Sequence, residues 1–274
     1  MSTRYDTMFQ RLTAENCGAF VPFLMLGDPT AELSLEIVRT VVAAGADALE
    51  LGVAFSDPVA DGPTIAKSHV RALTQGITVK RSLQLVRQIR EEFPDIPIGM
   101  LVYGNVAFAR GIAEFYRDFK AAGADSILIP DVPVRESASF VTAAAAADIA
   151  PIFIAPPQAS EQTLAGVAAH SRGYIYGVSR DGVTGTEREA RTTGLAATVQ
   201  NIKRFGGAPL LLGFGISTPQ HVSDALAAGA AGAITGSAIT AIIEQHAEEA
   251  TLLPKIANFV AQMKAATKLT AAPE

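Results

Sequence analysis

The 274-residue chain has a single cysteine, Cys17. That excludes an internal disulfide and makes the cytoplasm the expected compartment. Cys17 itself reads as a small core hydrophobe at the start of a strand. No Cys/His cluster has the spacing of a zinc site, and no resident metal is expected. No apolar run approaches the roughly 18 residues that a membrane-spanning helix needs, and Met1 to Asp6 lack the apolar core of a signal peptide, so no membrane contact is expected. Basic runs are missing too. The net charge is −5 and the pI is near 5.5, which argues against a nucleic-acid partner. Every lysine, and all four histidines, fall in helical patterns or the tail. A Schiff-base lysine, which needs a desolvated amine, is therefore not expected, and acid/base work falls to carboxylates or tyrosines.

What is present is apolar and periodic. The chain is 49% hydrophobic with mean hydropathy +0.27, enough for a sizeable core. Tyr5, Met8, Phe9 and Leu12 follow helical spacing, which predicts an amphipathic helix over 3–15. Strands are then predicted at 18–26, 46–53, 98–103, 126–130, 151–155, 174–178, 210–214 and 233–235. Helical stripes such as Leu33/Ile37/Val38/Val41 and Ile112/Phe115/Tyr116/Phe119 lie between them. A short motif recurs at Ala43, Ala121 and Ala227, where Ala-Ala-Gly-Ala ends a helix at glycine and enters a strand. Eight such units fit a (β/α)8 TIM barrel with an additional N-terminal helix. An open doubly wound sheet would carry a glycine-rich dinucleotide turn after its first strand, and Leu26-Gly-Asp-Pro29 is not one. Residues 1–268 are expected to form one barrel domain, with 269–274 a frayed tail.

The chemistry centres on residues 50–65. In a strand, Leu49, Leu51 and Val53 share one face while Ala48, Glu50 and Gly52 share the other. A carboxylate on that small-residue face, with no lysine or arginine in a barrel strand to pair with it, is costly unless it serves chemistry. Asp61, just before Gly62-Pro63, is a second acid at the end of the same strand; it is equally placed to cap the following helix. Barrel active sites lie at the C-terminal ends of the strands, which adds Asp28, Asp57, Tyr103, Asn105, Asp131, Gln158, Tyr176, Ser179, Arg180, Ser217 and Ser237. Of these, Asp28 and Asp131 read as turn residues beside prolines; with Glu50 they also match a carboxylate ring for Mg²⁺. Gly213-Phe-Gly-Ile-Ser217 and Thr235-Gly-Ser-Ala-Ile-Thr240 end the last two strands. Glycines that expose backbone N–H groups, next to a helix N-terminus, suit a phosphate. The expected substrate is a small phosphorylated molecule.

These residues resemble the family of tryptophan synthase α subunits over nearly the whole chain. The most specific match is Glu50-Leu-Gly-Val-Ala-Phe-Ser-Asp-Pro-Val-Ala-Asp-Gly-Pro-Thr-Ile65. Pro22-Phe-Leu-Met-Leu-Gly-Asp-Pro29, Asp131-Val-Pro133, Tyr176 with Ser179-Arg-Asp-Gly-Val-Thr-Gly185, and the two glycine motifs follow in the family's order. One departure is visible: Ala54 stands where the family usually has proline, which loosens the loop after Glu50. The resemblance implies retro-aldol cleavage of indole-3-glycerol phosphate to indole and glyceraldehyde 3-phosphate, with Glu50 as acid/base, Asp61 as acceptor for the indole N–H and Tyr176 assisting at the reacting hydroxyl. It implies phosphate binding by Gly215, Gly236, Ser237 and Gly185, and an indole pocket of Phe23, Leu101, Leu128 and Phe214. Thr184 is implied as the link between a lid over 179–192 and Asp61. No cofactor is implied in this chain; pyridoxal phosphate belongs to a partner β subunit that receives the indole within an α2β2 heterotetramer. Two other readings share many of these features: a stand-alone lyase that releases indole, and a silent phosphate-binding regulatory subunit.

Overall fold

Helix α1 (Arg4–Ala14) opens on a capping box in which Thr3 and Asp6 satisfy each other's backbone N–H. The computed structural model describes residues 3–178, 184 and 194–269. The chain then alternates through β1 (Ala19–Met25), α2 (Ala31–Ala43), β2 (Leu49–Gly52), α3 (Pro63–Thr74), α4 (Val79–Glu92), β3 (Ile98–Leu101), α5 (Gly104–Arg110), α6 (Ile112–Ala122) and β4 (Ser126–Leu128). A 3-10 turn (Val134–Glu136) leads to α7 (Ala138–Ala146), β5 (Ala150–Ile152), β6 (Ile154–Ala155), α8 (Glu161–His170) and β7 (Ile175–Val178). The last units are α9 (Leu195–Arg204), β8 (Leu210–Gly213), α10 (Pro219–Ala227), β9 (Gly232–Thr235), α11 (Ser237–His246) and α12 (Leu252–Ala265).

All the strand pairs are parallel, in the order β5-β4-β3-β2-β1-β9-β8-β7-β6. The two ends of that order, β5 and β6, are halves of one segment interrupted at Phe153, so the expected fifth strand hands the sheet from β4 to β7 and the ring closes through it. This is the (β/α)8 barrel that the alternation predicts. Two apolar layers follow from strand alternation. Leu49, Leu51 and Val53 pack outward with Leu24, Ile37 and Val41 under the helices. Ala48, Val21, Tyr174, Tyr176, Leu211 and Ile234 point inward, and Tyr5, Met8 and Leu12 of α1 join them. Helix α1 therefore seals the barrel at the end opposite the strand C-termini.

The periodicity missed some elements. Helix α7 is five alanines in nine residues, with no apolar stripe to read, and α5 is only seven residues long. Cys17 is half-buried rather than core and forms an antiparallel bridge with Lys268. Leu269, the first residue of the expected tail, is tied to Asn16: its N–H donates to the Asn16 carbonyl at 3.0 Å, and its own carbonyl accepts from Asn16 Nδ2 at 2.9 Å. Residues 270–274 lie outside the described ones. Among the described residues no helix is long and apolar enough to cross a membrane.

Candidate active site

Strand β2 lies between β1 and β3 in the sheet. Its register sets Glu50 beside Phe23 of β1 and Gly99 of β3. Gly99 matters to the floor of the barrel: a Cβ there would sit 3.0 Å from Ser126 Oγ and 3.1 Å from Tyr5 Oη, which hydrogen-bond each other at 2.8 Å. Glu50 points into the barrel and is 1% exposed. Its Oε1 accepts from Tyr174 Oη at 3.0 Å, whereas Oε2 has no hydrogen-bond partner among the described residues. Burial pushes the Glu50 carboxyl up to about 7; the Tyr174 hydrogen bond opposes that shift and the negative charge of Asp61 adds to it. An orphaned buried acceptor with a near-neutral pKa has the properties of an acid/base group.

Asp61 does not cap a helix. Gly62 is the N-cap of α3 and Pro63 its first residue, where a missing N–H costs nothing. The Asp61 carboxylate turns instead toward the barrel mouth. Tyr103 Oη donates to Oδ2 at 2.7 Å, His69 Nε2 lies 3.1 Å from the same oxygen, and Thr184 Oγ1 donates to Oδ1 at 3.3 Å. The Thr184 hydroxyl also accepts from Gly62 N–H at 2.9 Å. His69 was not legible as a site residue, because its helical position gave no sign that α3 turns it toward Asp61. Tyr103 stood among the strand-end polar residues without a role.

Glu50, Asp61 and Thr184 line one cavity at the strand C-termini, which opens to solvent. Phe23, Glu50, Asp61, Leu101, Tyr176, Thr184, Phe214, Gly215, Gly236 and Ser237 all border it. Leu128 borders an adjoining recess that shares Asp61, Leu101, Tyr176, Thr184 and Phe214. Gly185 lies outside the described residues, as do Ser179 and Arg180 and most of the 179–192 stretch. Ile65, Ile216 and Ile234 complete the lining; as plain apolar residues they carried no sequence signal. Asp57, Asn105 and Gln158 are exposed and do not border the cavity, and Ser217 instead bonds His221.

The cavity has an apolar and a polar end. Tyr176 and Phe214 pack edge to face, 6.0 Å between ring centroids. Burial holds the Tyr176 hydroxyl far above the ordinary tyrosine range, so it keeps its proton near neutral pH. Phe214 (φ 56°) and Gly215 (φ 79°) are successive left-handed residues, a sharp turn that is strained for phenylalanine. Across from them, Gly236 is the N-cap of α11 and has no side-chain cap hydrogen bond. The first N–H groups of that helix and the adjacent glycine turn offer donors and partial positive charge to an anion. The Thr235 hydroxyl donates to the Ile216 carbonyl and locks the two loops together. The Mg²⁺ ring does not form. Asp28 is buried and bound by Arg71 through both oxygens, at 2.7 and 2.8 Å, and Asp131 accepts Gly104 N–H at 2.9 Å. Both acids are therefore structural, Asp28 as a buried ion-pair partner more than a turn residue.

Known proteins match this chain along nearly its whole length. A family model described as the tryptophan synthase alpha chain matches residues 9–268. The tryptophan synthase alpha chain of Corynebacterium diphtheriae is 66% identical over 277 residues, covering 97% of this chain and 100% of that protein. That of Corynebacterium glutamicum (strain ATCC 13032) is 60% identical, covering 97% and 99%. Among solved structures, tryptophan synthase subunit alpha from Legionella pneumophila superposes with a TM-score of 0.86 at 29% identity, covering 97% and 99%. A chain of Mycobacterium tuberculosis tryptophan synthase superposes with a TM-score of 0.87 at 28% identity, covering 98% and 100%. With the family motif at the barrel mouth and matches that run the length of both chains, this chain belongs to the tryptophan synthase alpha chain family.

Proposed function

We infer that this chain cleaves indole-3-glycerol phosphate to indole and glyceraldehyde 3-phosphate, the α reaction of L-tryptophan biosynthesis. The observation that carries the reading is Glu50: a buried carboxyl with one oxygen that has no hydrogen-bond partner among the described residues, facing a cavity that has aromatic walls at one side and, at another, a helix N-terminus without a side-chain cap. The phosphate binds at Gly215, Gly236 and Ser237, with Gly185 as a further donor. The indole lies among Phe23, Leu101, Leu128 and Phe214. Protonation at indole C3 makes the ring nitrogen electron-poor, and Asp61, as acceptor of the indole N–H, stabilises that state. Loss of the proton from the adjacent hydroxyl then forms the carbonyl of glyceraldehyde 3-phosphate, as the C3–carbon bond breaks and its electrons return to the ring. Glu50, with a pKa near neutral, is populated in both forms and can give and take these protons; a positioned group of this kind is worth about 10²–10⁴ in rate. Tyr176 keeps its proton and assists as a hydrogen-bond donor, not as a base.

The family has a β-subunit partner, and pyridoxal phosphate belongs to that subunit. In this proposal the chain assembles with that partner as an α2β2 heterotetramer in the cytoplasm. Val59, in the loop after β2, and Phe108 on α5 are 72% and 60% exposed at the mouth of the barrel, where a partner receiving indole would dock. The test is to titrate the chain with a β subunit while following indole release, tryptophan formation and the mass of the complex. Expected are indole from the chain alone, faster turnover with the partner, and a mass of two chains of each kind. Full activity that no β subunit alters would favour the stand-alone lyase, and no indole under either condition would favour the regulatory subunit.

A further inference from the structure

His69 lies two turns into α3, on the face that buries Ile65, Ser68 and Ala72, and is 1% exposed. Its two nitrogens face opposite ends of the loop that joins β2 to α3. Phe55 N–H donates to Nδ1 at 3.0 Å. A backbone N–H can only donate, so Nδ1 carries no proton and the neutral ring holds its hydrogen on Nε2. That hydrogen donates to Asp61 Oδ2 at 3.1 Å. An imidazolium would set two hydrogens against each other at Phe55. The same Oδ2 accepts from Tyr103 Oη, which itself accepts from Ala60 N–H at 3.2 Å. Two donors on Oδ2 fix the carboxylate rotamer and leave Oδ1 toward the cavity, where Thr184 is its hydrogen-bond partner among the described residues.

We propose that His69 is a positioning residue for the α reaction: its neutral Nε2–H tautomer holds Asp61 so that Oδ1 meets the indole N–H, while Nδ1 anchors the start of the same loop at Phe55. The proposal rests on the Asp61 role given above. It also predicts which part of the ring matters. An asparagine keeps an acceptor near the Nδ1 position, but its amide N–H falls short of the Nε2 position that faces Asp61; a glutamine places an amide N–H near the Nε2 position.

The test measures kcat and KM for cleavage of indole-3-glycerol phosphate by the chain in complex with its β subunit, for wild type, His69→Asn, His69→Gln, Asp61→Asn and the double variant Asp61→Asn/His69→Asn. A hydrogen bond to a charged group is worth enough that its loss lowers turnover ~10-fold or more. His69→Asn is expected to lose that much kcat with KM changed less than about threefold. His69→Gln recovers most of kcat, and His69→Asn adds nothing in the Asp61→Asn background. Unchanged kcat in His69→Asn, loss in KM alone, equal loss in His69→Gln, or a fully additive double variant would overturn the proposal. If Asp61→Asn itself turns over like wild type, the Asp61 role fails; if Asp61→Asn is impaired while His69→Asn is not, the His69 proposal fails alone. Nitrogen-15 NMR of the wild-type imidazole reads the tautomer without any variant. An unprotonated Nδ1 and a protonated Nε2 at neutral pH are expected, and an imidazolium or the Nδ1–H tautomer would contradict the proposal.

Discussion

At the scale of single residues, Glu50 sets up a conflict between stability and chemistry. Its folded pKa of about 7 lies above the value of 4.5 for an exposed glutamate. Between those two values the folded chain holds a proton that the unfolded chain has released, so stability falls as pH rises from about 4.5 to 7. A glutamine has no such conflict. Glu50→Gln is expected to be more stable than wild type at pH 8, by about 3 kcal/mol, and the difference should close below about pH 4.5; denaturant melts at both pH values measure it. A gap of the same size at both would show that packing, not ionisation, separates the two side chains. Glu50 was legible because a carboxylate on the small-residue face of a strand breaks the alternation of the residues around it. His69 was not, because a histidine on a helix looks the same whether its ring meets apolar core or a carboxylate, and only the approach of α3 to the loop after β2 distinguishes the two.

At the scale of elements, the inward faces of the strands are shaped by glycine as much as by the side chains that bind. A Cβ at Gly52 of β2 would meet Phe23 Cζ at 2.7 Å and Met25 Cε at 2.8 Å, and one at Gly213 would collide with the Tyr176 ring. Gly52→Ala is expected to push Phe23 into the cavity proposed to hold indole, destabilising the fold by about 1–3 kcal/mol and raising KM for indole-3-glycerol phosphate. Thermal unfolding and steady-state kinetics check the two effects, and an unchanged KM would show that Phe23 does not set the pocket wall. The strand–helix alternation and the three Ala-Ala-Gly-Ala junctions made the barrel legible, since each junction marks a helix ending and a buried strand beginning. Where periodicity was weak the sequence was mute: α7 is five alanines in nine residues, and the interruption at Phe153 between β5 and β6 follows from closing the ring, which local sequence does not encode.

At the scale of the whole molecule, the barrel is sealed at one end and open at the other. Tyr5 of α1 packs 5.5 Å from the Tyr174 ring, and Tyr174 holds Glu50 from below. The seal buries the floor around Glu50, and that burial raises its pKa, while the open end carries the glycine turn and helix N-terminus proposed to hold phosphate and exposes Val59 and Phe108. A neutral, apolar product such as indole gives that partner its purpose, because indole released freely would partition into membranes. Whether Glu50 moves the protons of the α reaction is read from single-turnover formation of indole from indole-3-glycerol phosphate by wild type and Glu50→Gln, each bound to the β subunit. The glutamine variant is expected to fold and to bind a nonreactive phosphorylated indole analogue, yet to form indole at least ~10²-fold more slowly. Indole formation at the wild-type rate would show that another group moves those protons.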